Sequence, residues 1–223
     1  MLKPAAPLLR GLTRLVIVPD EALWELPFQA LHDGASYLIE THALSYAPSF
    51  SVLRALSLAQ RTPPKNLSLL ALGNPRGAAQ TPAAASRTAP LGALPQAEIE
   101  VKALARLYGA SHSRVYLGAA AREDRFKAEA KNYDVLHIAA HGLLNATSPL
   151  YSQVLLAANK AANEINNDGL LEAWELMKLD LRPQLVVLSA CETGRGQLVG
   201  SEGVIGMSWA LFVPGAPTAV LCN

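Results

Sequence analysis

Cysteine is scarce in this chain: Cys191 and Cys222 are the only two among 223 residues. Two thiols in a chain of this length make no disulfide framework, so both are expected to be reduced. Charge is sparse as well, at 17% of residues, and the net charge of +1 lacks the basic excess of a nucleic-acid binder. No block of like charges suggests an interaction tail. No uninterrupted apolar stretch approaches the roughly 20 residues of a membrane span. The first ten residues are broken by Pro4 and Pro7 and carry no apolar signal-peptide core. These absences lead us to expect a soluble, cytoplasmic protein with neither nucleic acid nor membrane as partner.

What the chain has is apolar mass, 51% hydrophobic, enough for one sizeable core without disulfide or metal. Residues 14–18 read as a strand stopped by Pro19-Asp20, and residues 24–31 as an apolar turn. Residues 37–46 form a second extended run, followed by a helix for which Ser49 is the N-cap. The strand at residues 67–72 ends in Gly73-Asn74-Pro75. Ala97, Val101, Leu104, Ala105 and Tyr108 trace the stripe of a helix, and Gly109 stops it.

Further signals follow in order. Strands are expected at residues 115–117, 135–140, 153–157, 185–190 and 218–222, with helices at 121–130, from Asp168 through Trp174, and at 201–212. Alternation of this kind predicts an α/β fold, a mainly parallel central sheet with helices on both faces, in a single domain over residues 1–223. Trp24, Trp174 and Trp209 fall in apolar patterns and read as core. Residues 77–95 are rich in Ala, Pro, Ser and Thr without a period and read as a flexible loop.

Two of the strands end alike. Residues 135–140 run into His141-Gly142, and residues 185–190 run into Cys191 and a Glu-Thr-Gly turn. As neighbouring parallel strands, about 4.8 Å apart, they would set an imidazole and a thiol side by side at the carboxyl edge of the sheet, where open α/β folds carry their sites. A thiolate is the useful nucleophile, and histidine is the side chain suited to moving a proton near neutral pH. Gly142 would let substrate approach the backbone. The amides of Gly142 and Cys191 are candidate oxyanion donors, each worth roughly 3 kcal/mol in a transition state.

Bland alternatives stand beside this one, since a cysteine ending an apolar strand is commonly core. His137 and His141, four apart on a strand, stand roughly 13 Å from each other, too far to share a metal ion. His137 reads instead as a buried, hydrogen-bonded support beneath the site. Gly194-Arg195-Gly196 with Gly200 mimics a dinucleotide fingerprint but has no acidic residue where one is needed. No cofactor and no metal are expected. Asp134, at the far end of its strand, is poorly placed to orient His141.

Leu188-Ser189-Ala190-Cys191-Glu192-Thr193-Gly194, with His137-Ile138-Ala139-Ala140-His141-Gly142 upstream, resembles the CHAT domain. This is a caspase-like group often found after TPR repeats in bacteria. Val18-Pro19-Asp20, Leu26-Pro27-Phe28-Gln29-Ala30-Leu31, Tyr46-Ala47-Pro48-Ser49, Leu72-Gly73-Asn74-Pro75 and Glu202-Gly203-Val204 carry the resemblance through nearly the whole chain. It implies a caspase-like three-layer αβα sandwich and a cysteine peptidase using a His141–Cys191 dyad. Gly142 and Cys191 would supply the oxyanion amides, and a protein or peptide would be the substrate. A TPR-containing regulatory protein or segment is the implied partner. The family continues beyond the strand matching residues 218–223, so the chain is expected to be a C-terminally shortened member. A non-catalytic interaction module, or a thiol hydrolase or acyltransferase acting on a non-peptide substrate, are the other functions compatible with these residues.

Overall fold

The computed structural model describes residues 3–58, 64–77, 91–145, 147–159, 167–190 and 201–222. The chain divides into two compact units, Met1–Ala59 and Gln60–Asn223.

In the first unit a short helix, α1 (Ala6–Leu9), precedes strand β1 (Arg14–Ile17). β1 pairs in parallel with β2 (Ala43–Tyr46), Arg14 opposite Ala43 and Ile17 opposite Tyr46. Parallel strands need a crossover. Here it consists of two 3-10 turns, Glu21–Glu25 and Phe28–Ala30, and the one-turn helix α2 (Leu38–Thr41). The extended run expected at residues 37–46 is therefore half helix. The Glu40 carboxylate accepts the Tyr37 N–H at 2.6 Å and winds that turn. Helix α3 (Phe50–Leu58) begins where expected, because the Ser49 hydroxyl accepts the Val52 N–H at 3.1 Å. Tyr46 gathers Trp24 and Phe28, ring centroids 6.4 and 6.3 Å away.

The second unit is built on five parallel strands in the order β10-β9-β5-β3-β4. They are β3 (Leu69–Gly73), β4 (Ser113–Leu117), β5 (Val135–Ala139), β9 (Leu185–Ser189) and β10 (Ala219–Cys222). Every residue of β3 and β5 is buried, as the continuous apolar runs of a parallel sheet covered on both faces require. Among the described residues four helices pack on this sheet: α4 (Pro95–Tyr108), α5 (Glu123–Glu129), α6 (Ala173–Leu176) and α7 (Ser201–Phe212).

Alternation along each strand sorts the core into two sets. Leu70, Leu72, Leu136, Ile138, Val186 and Leu188 meet Phe126, Leu176, Met207 and Leu211 from α5, α6 and α7. Leu69, Ala71, Val135 and Ala139 meet Ala97 and Val101 of α4. Pro95 opens α4 and Gly109, at φ +80°, closes it. Gly73 brings α4 close to the carboxyl end of β3: a Cβ there would stand 3.0 Å from the Ala97 carbonyl oxygen.

A second, antiparallel sheet is formed by β6 (His141–Leu143), β7 (Gln153–Leu155) and β8 (Leu170–Glu172), with β7 in the middle. Asp168 does not cap a helix here. Its carboxylate accepts the Leu170 N–H at 2.9 Å and turns the chain into β8. The helix after it, α6, is capped by Glu175, which accepts the Glu172 N–H at 3.0 Å. Trp209 is also not core, being 38% exposed, and Trp174 lies half-buried under the Lys178 ammonium. Among the described residues no helix is long and apolar enough to cross a membrane.

Candidate active site

The two strands singled out by their endings are neighbours. β5 and β9 pair in parallel, Val135 opposite Leu185 through Ala139 opposite Ser189. His141 and Cys191 each follow two residues after that last pair. Cys191 and the glycine-rich turn, residues 191–200, lie outside the described residues, as do residues 78–90 of the expected loop.

His141 does not finish β5 but opens β6. At Ala140 the chain makes its last bond to β9, the Ala140 N–H donating to Ser189 O at 3.2 Å, and then crosses into the antiparallel sheet. Gly142, next in line, is buried against Ala190: a Cβ at Gly142 would stand 3.3 Å from both Cβ and the carbonyl oxygen of Ala190. The missing side chain lets the turn after β5 pack closely on Ala190. The turn carrying His141 rests on the residue preceding Cys191.

Ladder geometry orients the Gly142 amide. The Leu156 N–H donates to Gly169 O at 2.8 Å. In an antiparallel ladder successive residues face opposite neighbours. Val154 therefore faces β8, whereas Gln153 and Leu155 face β6 and pair with Leu143 and His141. Gly142 points its N–H away from β7, on the outer edge of that sheet.

His141 is partly buried, and its Nε2–H donates to the carbonyl of Gly92 at 2.7 Å. Because a carbonyl only accepts, this bond selects the Nε2–H tautomer and leaves the lone pair of the neutral ring on Nδ1. Gly92 sits inside the stretch of residues 77–95 that read as a flexible loop. Its described end is pinned: Leu94 N–H donates to the Asn74 side-chain carbonyl at 2.7 Å. No sequence signal marks Gly92, because its contribution is a backbone oxygen.

His137 lies beneath, only 5% exposed, as its place on a buried strand implied. Its Nε2 lies 3.0 Å from Glu100 Oε1, near enough to pair electrostatically but off the line of a good hydrogen bond. Burial pushes the imidazole below its ordinary pKa, and the Glu100 charge offsets part of that shift. The other oxygen of Glu100 accepts the Ser189 hydroxyl at 3.3 Å. One carboxylate of α4 thus spans β5 and β9 just before the two strands end. Glu100 escaped the sequence reading although a signal exists, since it occupies the i+3 position of the stripe begun by Ala97.

Asp134 stays at the opposite end, where its carboxylate accepts the backbone N–H and hydroxyl of Ser68 at 2.9 and 2.7 Å. It ties β5 to the entry of β3 and takes no part near His141.

No curated protein matches the chain. The model of the CHAT domain family, which is related to the caspase-like cysteine peptidases, matches residues 1–223. With an α/β fold on a parallel central sheet and a match along its whole length, this chain belongs to the CHAT domain family.

Proposed function

We propose that this chain is a cysteine endopeptidase domain with a caspase-like three-layer αβα arrangement, working through Cys191 and His141. The observation that carries the reading is the register of β5 and β9, with Ala139 opposite Ser189 and Gly142 packed on Ala190. The packing of Gly142 on Ala190 keeps the turn that carries His141 beside the residue preceding Cys191, which favours a common position for the imidazole and the thiol.

In the reaction His141 Nδ1 takes the thiol proton, and the Cys191 sulfur attacks the scissile carbonyl carbon. A C–S bond forms while the carbonyl electron pair moves to oxygen. The outward-facing amide of Gly142, together with that of Cys191, stabilises this oxyanion. As the carbonyl reforms, the C–N bond breaks, and the amine leaves with the proton held on Nδ1. Water then attacks the thioester, giving its proton to His141, and the thiol is expelled. The hydrogen bond to Gly92 holds the ring through both proton transfers. The chemistry draws on no cofactor. The substrate is a protein or peptide, with a TPR-containing segment as the regulatory partner.

The test compares wild type, Cys191→Ala and His141→Ala against a peptide library and a thiol-reactive peptide probe. Cleavage and labelling by wild type, with loss of both in Cys191→Ala and of cleavage in His141→Ala, is the expected result. Equal behaviour of all three proteins would end the proposal.

A further inference from the structure

Asn74 ends β3 in a conformation that few residues accept. Its φ is +48° and it is 1% exposed. Asparagine tolerates the left-handed region better than most side chains, yet such a backbone is retained only where its surroundings demand it. Three hydrogen bonds make the demand here. The Asn74 N–H donates to Ala139 O at 3.0 Å, the last residue of β5. The side-chain carbonyl accepts the Leu94 N–H at 2.7 Å, and the side-chain amide donates to Glu98 Oε1 at 2.7 Å.

These bonds converge on His141 from two directions. Ala139 stands two residues before His141, and Leu94 stands two residues after Gly92, whose carbonyl takes the Nε2–H. The left-handed turn is what lets one side chain reach Leu94 while its backbone stays on β5. Glu98, on the first turn of α4, locks the amide end, so the orientation of the Asn74 side chain is set by donor and acceptor alike.

We infer that Asn74 is a positioning residue for His141: through the Leu94 amide it places the Gly92 carbonyl, and so sets the tautomer and direction of the ring. It touches neither substrate nor sulfur. For its effect on turnover the inference rests on the proposed role of His141; for its effect on the imidazole it stands on the geometry alone. Loss of the brace leaves the strap at residues 91–94 held by the packing of Leu91 and Leu94 alone, which lengthens the Gly92 bond and weakens its hold on the Nε2–H tautomer.

Two variants separate positioning from folding. Asn74→Gly keeps the left-handed backbone accessible and removes both side-chain bonds. The double variant Asn74→Asp with Glu98→Gln keeps an acceptor for Leu94 and reverses the donor at the other end. Ring nitrogen shifts of histidine-labelled protein read the tautomer of His141 without turnover. Wild type and the double variant are expected to show the Nε2–H form, and Asn74→Gly a mixture. In peptide cleavage kcat falls about tenfold in Asn74→Gly with KM held within about twofold, a loss of orientation and not of binding. A wild-type tautomer and kcat in folded Asn74→Gly would overturn the inference. So would a mixed tautomer in the double variant. If Asn74→Gly does not fold, Asn74→Asp alone, which sets two carboxylates against each other at Glu98, takes its place, with a mixed tautomer expected and a wild-type tautomer overturning the inference. If wild type cleaves no peptide, the endopeptidase proposal fails, and the tautomer comparison still rules on Asn74.

Discussion

The two faces of the central sheet are made for different work. Against α5, α6 and α7 the strands β3, β5 and β9 present Leu70, Leu72, Leu136, Ile138, Val186 and Leu188, an apolar layer whose polar contact lies at its margin, where Tyr116 of β4 donates to Glu129 of α5. Against α4 the layer is interrupted: His137, Ser189 and Glu100 meet there, and Glu98, two residues earlier on α4, holds Asn74. Apolar packing is non-directional and stabilises by area, whereas hydrogen bonds have direction and hold atoms to a few tenths of an ångström. The first face keeps the sheet folded, and the second aims its carboxyl edge. α4 sets the Glu100 carboxylate between β5 and β9 and the Glu98 carboxylate on Asn74, so one helix both roofs the sheet and braces its carboxyl edge.

The sharpest way to break this comparison is to exchange the consequences of substitution on the two faces. Leu136→Ala, on the apolar face and fully buried, is expected to cost about 3 kcal/mol in urea unfolding while leaving the His141 tautomer as in wild type. A changed tautomer would show that the faces are not separable. Gly142→Ala comes next. Its new methyl meets both the Cβ and the carbonyl oxygen of Ala190 at 3.3 Å, so a loss of about 1 kcal/mol is expected, recovered in part in the double variant with Ala190→Gly, which removes the Cβ alone. Additive losses would mean that the two residues do not press on each other.

The smallest effect is a pH dependence from the polar face. Burial lowers the pKa of His137 below its ordinary 6.5, so the unfolded chain binds more protons than the folded one once pH drops beneath that value. The stability involved is fully present above about pH 6.5 and is lost as pH falls toward the lower folded value. The thermal midpoint of wild type should therefore decline more steeply between pH 7 and pH 5, as approximate bounds, than that of His137→Gln. Parallel curves for the two proteins would remove the imidazole from the account.

The faces also differed in how openly the amino-acid order announced them. Apolar runs of strand length marked β3, β5 and β9, and the stripe from Ala97 to Tyr108 marked α4, because burial on a regular element repeats with its period. Short elements held by a single capping contact escaped: α2 wound up around Glu40 inside an apparent strand, and Asp168 turned the chain into β8. At the site, matching strand ends exposed His141 and the buried place of His137. The departure of His141 into β6 was hidden, because antiparallel pairing with β7 depends on a partner chosen in space. Gly92 and Asn74 were hidden for a stronger reason: one acts through a carbonyl oxygen every residue owns, the other through a link to a distant amide.

Parallel pairing of β5 with β9 also makes distance at that edge a quantity with steps. Removing one residue from β9 would turn Val187 and Ser189 over to the opposite side of the sheet, among the leucines and away from Glu100. A tolerated change in strand length must therefore come as two residues, moving whatever follows by roughly 6.6 Å. The spacing at this rim is a ratchet, and sequence drift can leave it alone or ruin it, with little ground between.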